Sequence, residues 1–538
     1  MAAAISRIAH KVNFGERRGG PVGWYFCLAV ALGISLYSWL PLLHANWSIV
    51  DDHEVMAAIG MRERLPVGEI YTQLRQTEVA DASKTMRFRP SYYLIRFTEA
   101  AAWGKNVTAW YAARIVIACL FAGVVAHFAV RAAGATIGFG FLIFALSKSY
   151  WSDIFARLGP AETYAVFGIA LVYVGAYRII KQRGGDASSW LVALGACIAA
   201  GSKENFLLLA PVLIWLLFQY QHRLSVPSRV PLYVGLLYMT WITYSEGMAL
   251  LESGHDVYRQ SVLISERTAL LPALLQNQDF RLLLAVTAVL SFLAMMFQLF
   301  ERKANPTKAS QATVALLRAA LSLSLLLLLF AAQFVFYNGN WPGSQLRYYF
   351  PGVFAVDVAL LVAIATLVYV LRFYKQRWHA VLPPIASLVM LSFAMPDVQA
   401  NHAHSKEVAI STTRFVEKLD SAKEYLRANP TAPLILNSHY LGDYEPIVSI
   451  GRFMRAAGIK NTIAVRIDRD SPPPFLDDPA LAFPEDSHLA NALQSPSGLQ
   501  GWDMVPFARI DVDPTCFSFG FSGPPFSQCK QGTSVWPL

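Results

Sequence analysis

From residue 23 onward the sequence keeps returning to unbroken apolar runs of about 17 to 25 residues, each closed by Arg, Lys or a polar cluster. At 1.5 Å per residue a helix of that length matches the roughly 30 Å hydrocarbon core of a bilayer. The runs lie near 23–43, 109–130, 135–149, 162–180, 189–202, 205–220, 230–246, 281–300, 314–336, 352–371 and 380–396, which predicts about eleven membrane-spanning helices. Composition agrees: 55% of the 538 residues are hydrophobic and only 15% charged, against about 25% charged in ordinary soluble domains. The first run is long and is followed by no small-residue cleavage site, so it reads as an anchor. The expected fold class is an α-helical polytopic membrane protein.

Loop charges orient it. The leading segment "SRIAHKVNFGERRGG" is basic and is placed on the cytoplasmic side. Short loops expected on that side hold Arg131, then Arg178, Lys181 and Arg183, then Arg223 and Arg229, then Arg302, Lys303 and Lys308, then Arg372, Lys375 and Arg377. The opposite short loops carry about half as many: Lys148, Arg157, Lys203, Arg259, Arg267 and Arg347. An odd number of spans puts the C-terminus outside, in a cell inner (plasma) membrane. The third span, "GATIGFGFLIFALS", is short and glycine-rich, and its loss would invert everything after it. The net charge of +9 belongs to this loop bias and does not indicate nucleic acid.

Two outer pieces result: a loop over 44–108 and a tail over 397–538, so that 1–396 is the transmembrane unit. In the loop, "EVMAAIGMRERL" and "PSYYLIRFTEAAAWG" place apolar residues at helical spacing and predict helices lying in the interface. In the tail, "STTRFVEKLDSAKEYLRANP" and "EPIVSIGRFMRAAGI" read as helices, "PLILNS" and "NTIAVRI" as strands, giving a small extracytoplasmic α/β domain. Cys27, Cys119 and Cys197 fall within spans, whereas Cys516 and Cys529 lie in the outer tail, where an oxidising compartment would join them.

The chemistry-bearing residues gather outside. Immediately after the first span the chain sets down Asp51, Asp52, His53 and Glu54. Other candidates are Arg87 and Arg89 in "MRFRPSYY", Asp153, Arg157 and Glu162 in "YWSDIFARLGPAETYAVF", Lys203 in "GSKENFLLL", and Arg347 with Tyr348 in "SQLRYYFPG". A carboxylate within hydrogen-bond reach removes a proton from a hydroxyl, and fixed cations hold a phosphate. Plainer readings stand beside these. The acids cap an interfacial helix, Lys203 and Glu204 form a loop pair, Arg347 snorkels to the interface, and Glu162 is a first-turn helix acid. Asp357, inside the tenth span, faces a cavity or a neighbouring helix.

In their order and common side, "DDHE", the Arg-Pro segment before "LIRFTEAAAWGKN", "SKENFLLLAPVLIWLL" and "LRYYFPGVFAVDVALLVA" make the first 400 residues or so resemble the polytopic glycosyltransferases of the GT-C superfamily. The likeness is in style to the protein-O-mannosyltransferase-like and aminoarabinose-transferase-like enzymes. It implies transfer of a sugar, with inversion, from a polyprenyl-phosphate donor to an envelope glycan, lipid or protein at the outer face. Asp52 or Asp51 would be the general base, with Asp52 slightly preferred. Lys203, Arg347 and Arg89 would neutralise the departing lipid phosphate, with Glu162, Tyr348 and His53 beside the substrate. His53 between the acids departs from the family pattern and raises a divalent metal, although ligands adjacent along a chain do not all reach one ion. A transporter or flippase of lipid-linked glycans, and a non-catalytic envelope-assembly protein, are the alternatives.

Overall fold

The structure is a computed structural model that describes residues 21–80, 87–181, 185–222, 224–253, 270–296, 298–299, 306–336, 346–373, 378–431, 434–438, 444–461, 463–467, 504–506, 517–519 and 527–528. Cys516 and Cys529 lie outside these residues.

Helix α1 (Pro21–Trp39) continues as a 3₁₀ turn to His44, and α2 (His53–Ile59) follows the acidic turn. The segment between the first span and α5 adds α3 (Ile70–Leu74) and α4 (Pro90–Trp103), the latter opened by a proline whose missing N–H costs nothing at that position. Then come α5 (Val107–Ala133), α6 (Ala135–Leu146), α7 (Tyr150–Phe155), α8 (Glu162–Ile180) and α9 (Asp186–Ala200). After a 3₁₀ segment over Glu204–Leu209 follow α10 (Ala210–Tyr220), α11 (Val226–Ser253), α12 (Leu271–Gln276), α13 (Gln278–Met296), α14 (Pro306–Phe336), α15 (Gly352–Phe373) and α16 (Trp378–Ala428).

Seven helices among the described residues are long and apolar enough to cross a membrane, which makes this a helical membrane protein. The predicted count of eleven is not met. Ala135–Leu146, Asp186–Ala200 and Glu204–Tyr220 are apolar but shorter, and the 12 residues of α6 rise only about 18 Å. α6 packs along part of α1 and α5. Gly134, at φ 85°, turns the chain back on α5, and the α6 start lies at Gly23 and Cys27 near the beginning of α1. Its far end is held at the other end of the bundle, where the Asn401 amide donates to the Ser147 carbonyl at 2.6 Å.

Small residues set the closest contact. A Cβ on Gly168 or on Gly195 would meet the other glycine's carbonyl oxygen, so α8 and α9 touch backbone to backbone.

The chain has no break at 396–397. α16 carries straight through Pro396 for 51 residues, and the stretch predicted as a separate tail helix is its last part. Beyond it, β1 (Leu434–Ser438) pairs in parallel with β2 (Ile463–Ile467) in the register Leu434↔Ile463, with helix α17 (Tyr444–Ala456) between them. β3 (Met504–Pro506) and β4 (Phe517–Phe519) flank this pair in parallel and β5 (Ser527–Gln528) closes the edge antiparallel. α17 folds back onto α2, next to the acidic turn.

Candidate functional site

The acidic turn forms because the chain must leave the 3₁₀ end of the first span and re-enter a helix within eight residues. Asp51 takes φ 70°, the only positive φ of a residue other than glycine among the described residues. Asp tolerates that region better than most side chains, at a cost of about 1–3 kcal/mol that its surroundings must cover.

This conformation sends the two aspartates in different directions. Asp52 is fully buried; its Oδ2 accepts from the Ser48 amide at 2.7 Å and its Oδ1 is enclosed without a hydrogen-bond partner. Burial pushes its carboxyl up to about 7, only partly offset by Arg96 and the Ser48 amide. Asp51 is half-buried, and its Oδ2 accepts from Arg157 Nη2 at 2.7 Å. Burial alone would raise the Asp51 carboxyl, but Arg157, Arg347 and Arg96, with His53, outweigh it and hold it below the usual carboxylate range. Of the two candidates for a general base, Asp52, slightly preferred from the sequence, is enclosed, and Asp51 is the one with a solvent-accessible, ion-paired carboxylate. Glu54 is half-buried, with its carboxyl raised by burial. His53 is 5% exposed, and burial, then Arg452 of α17, lower its imidazole to about 3, so it stays neutral. Among the described residues no group of three or more His, Cys, Asp or Glu is placed to hold a metal ion.

Opposite Asp51 the segment after α7 supplies two partners. Arg157 bridges Asp51 and, at 3.1 Å, Asp153 of its own helix. Asp153 Oδ2 in turn accepts from the Arg347 amide at 3.1 Å, which draws the 3₁₀ turn Leu346–Tyr349 into the same corner. Gly159 is a close-approach position: a Cβ there would fall on the Asp51 side chain.

The remaining predicted residues form a layer beside this corner. Lys203 Nζ lies 3.1 Å from Glu162 Oε1, both nearly without solvent exposure, and 4.8 Å from the centroid of the Tyr348 ring. Arg347 sits 5.3 Å from the same ring, giving Tyr348 a cation near it from two elements. Arg89 grips Glu204 in a two-pronged pair, Nε to Oε2 at 3.0 Å and Nη2 to Oε1 at 2.8 Å. Arg89 and Lys203 are thus matched by carboxylates, and the cations around Asp51 itself are Arg157 and Arg347. Asp357 lies apart from this group, 3.9 Å from Lys148.

The sequence reading missed a second shell of buried charge. Arg96, 1% exposed, donates from Nη1 to the Leu158 carbonyl at 2.6 Å and from Nη2 to the Asp51 carbonyl at 2.8 Å. Arg114 holds Glu99 through bonds of 2.7 and 2.9 Å, and Tyr164 donates to the same carboxylate. A signal existed for Arg96: it falls in the stripe of α4 formed by Tyr92, Phe97 and Ala100, which turns out to face the bundle.

Compared with family models, curated proteins and solved structures, the chain matches none.

Proposed function

We propose that this protein is a glycosyltransferase of the outer membrane face, moving a sugar from a polyprenyl-phosphate carrier to an envelope acceptor. One observation carries the reading: an ionised, half-exposed aspartate, Asp51, is set against Arg157 and Arg347 at the bundle end where Lys203 and Arg89 also gather. A lipid-borne donor reaches such a place through the bilayer, and no soluble activated sugar has to be supplied from outside.

In this reading Asp51 takes the proton from the acceptor hydroxyl as its oxygen bonds to the anomeric carbon. The bond from that carbon to the phosphate oxygen breaks, and the phosphate leaves with the electron pair. Arg347 and Lys203 balance its charge, Lys203 by leaving Glu162. No second carboxylate is needed, so the anomeric carbon inverts. Glu162 keeps Lys203 in place between turnovers and Glu204 keeps Arg89, since breaking a buried ion pair from one side costs about 3–5 kcal/mol.

The orientation belongs to the same proposal. Helix ends remote from Asp51 carry Arg131, Arg178, Lys181, Arg229 and Arg372, which supports a cytoplasmic N-terminus. The sheet with α17 then forms a small extracytoplasmic domain whose helix covers α2 and limits what reaches the acidic turn.

The test uses the purified protein in nanodiscs with a panel of radiolabelled polyprenyl-phosphate sugars and an envelope extract as acceptor. Label should pass to a new product with the parent and fail to do so with Asp51→Asn. Transfer undiminished in Asp51→Asn would sink the proposal.

A further inference from the structure

Asp51 and Arg157 lie 106 positions apart, yet their productive geometry depends on a contact made by neither side chain. The acidic turn and the loop after α7 come together at two backbone carbonyls, those of Asp51 and Leu158, and both point at the same guanidinium. Two carbonyl oxygens facing each other repel, so a buried donor has to stand between them. Arg96 does so from the second turn of α4, its charge adjoining the Tyr92 ring at 5.7 Å from the centroid. The Tyr92 hydroxyl fastens the next link, donating to the Gly159 carbonyl at 2.9 Å. Gly159 is the residue against which the Asp51 side chain rests.

We infer that Arg96 is a positioning residue: by tying the Asp51 carbonyl to the Leu158 carbonyl it holds the left-handed Asp51 turn and sets the carboxylate against Arg157. The inference rests on the reading of Asp51 as the base, and it adds a residue that touches neither donor nor acceptor. Lysine offers a point charge on a flexible stem where arginine offers a planar fork, so it does not hold two fixed acceptors in register. A base displaced by about 1 Å loses on the order of 100-fold in rate.

Arg96 faces Asp51 together with Arg157 from the loop after α7, Arg347 from the turn before α15, and His53 and Asp52 from its own segment. Removing the charge and removing only the fork therefore have different signatures. In Arg96→Lys the charge remains: kcat for sugar transfer should fall about 10- to 100-fold with the donor KM and the acid limb of the pH–rate profile unmoved. In Arg96→Met kcat should fall at least as far, and the acid limb should move to higher pH because a cation that disfavours Asp51 protonation is gone. Difference-infrared titration of the carboxylates in nanodiscs, assigned by subtracting Asp51→Asn, follows Asp51 without any turnover. It should show the upward shift in Arg96→Met and none in Arg96→Lys.

Parental kcat in Arg96→Lys would overturn the inference, as would an unmoved Asp51 titration in Arg96→Met. The Lys variant keeps the charge and most of the volume, so it decides the matter even where the Met variant does not fold. Should the parent transfer no sugar, the transferase reading fails and the catalytic role of Arg96 with it, while an infrared shift in Arg96→Met would still show that Arg96 acts on Asp51.

Discussion

Asp52→Asn should make this protein more stable at neutral pH, and the gain should disappear in acid. Asp52 is fully enclosed, and its carboxyl titrates at about 7 in the fold, whereas an unfolded aspartate titrates near 3.8. Below pH 4 both states are protonated and the residue is neutral to stability. Between pH 4 and 7 the unfolded chain releases a proton that the folded chain keeps, so stability is lost as pH rises; above 7 the loss levels off. The full gap is equivalent to roughly 4 kcal/mol, an upper bound for a buried group. Asparagine has nothing to ionise, and its side-chain oxygen still accepts from the Ser48 amide that bonds Oδ2 at 2.7 Å. Its NH₂ falls where Oδ1 has no hydrogen-bond partner, which returns part of the gain at about 1–3 kcal/mol. A net rise of roughly 1–3 kcal/mol at pH 7.5 follows from these terms. Thermal unfolding in nanodiscs, followed by tryptophan fluorescence from pH 4 to 8, measures it. The variant's midpoint should lie below the parent's near pH 4, where only the unpartnered NH₂ counts, and overtake it as the pH rises toward 7. A variant less stable throughout, or an offset independent of pH, would refute the reasoning and return Asp52 to the list of groups that need their charge.

Three other outcomes follow from the same contacts. Asp51→Asn should lower the unfolding temperature modestly, because an ion pair with Arg157 is lost while Arg157 keeps Asp153, and reduce sugar transfer by about 10²–10⁴-fold, read from product formation under single-turnover conditions. Arg89→Ala, which strands Glu204 in a buried position, should cost about 3–5 kcal/mol, whereas the double change with Glu204→Gln should recover much of it; a double-mutant cycle on unfolding midpoints checks this. Gly195→Ala should separate α8 from α9 and destabilise by about 1–3 kcal/mol, visible as a lower midpoint, because its new methyl meets the Gly168 carbonyl.

What the sequence made legible were features that depend on short range. Apolar runs marked the long helices, and several of the ionisable residues between them lie in one corner with Asp51. Which aspartate faces that site was not legible, because it turns on the φ of one residue, held by a partner 45 positions away. The span count failed for a different reason. α6 and α9 are as apolar as full spans but shorter, so length separates them from full spans where composition does not. Arg96 was passed over because its partners are backbone carbonyls, which leave no trace in residue identity. The tail boundary was set by composition, which changes near Pro396, while helix α16 continues through it.

The unbroken run of α16 has a mechanical consequence. Its 51 residues measure about 76 Å. Two-thirds of the way along, Thr412 Oγ1 accepts from the Asn46 amide at 2.9 Å, at the entrance to the acidic turn. Past that fulcrum, Arg427 holds the Ala457 carbonyl at 3.1 Å just beyond α17. Fastened there, and at Ser147 through Asn401, the helix ties its apolar Trp378 end to the arm that seats α17 on α2. A change of bilayer thickness that tilts that end should therefore alter the packing of α17 on α2, which protease access to α17 in lipids of different acyl-chain length would measure.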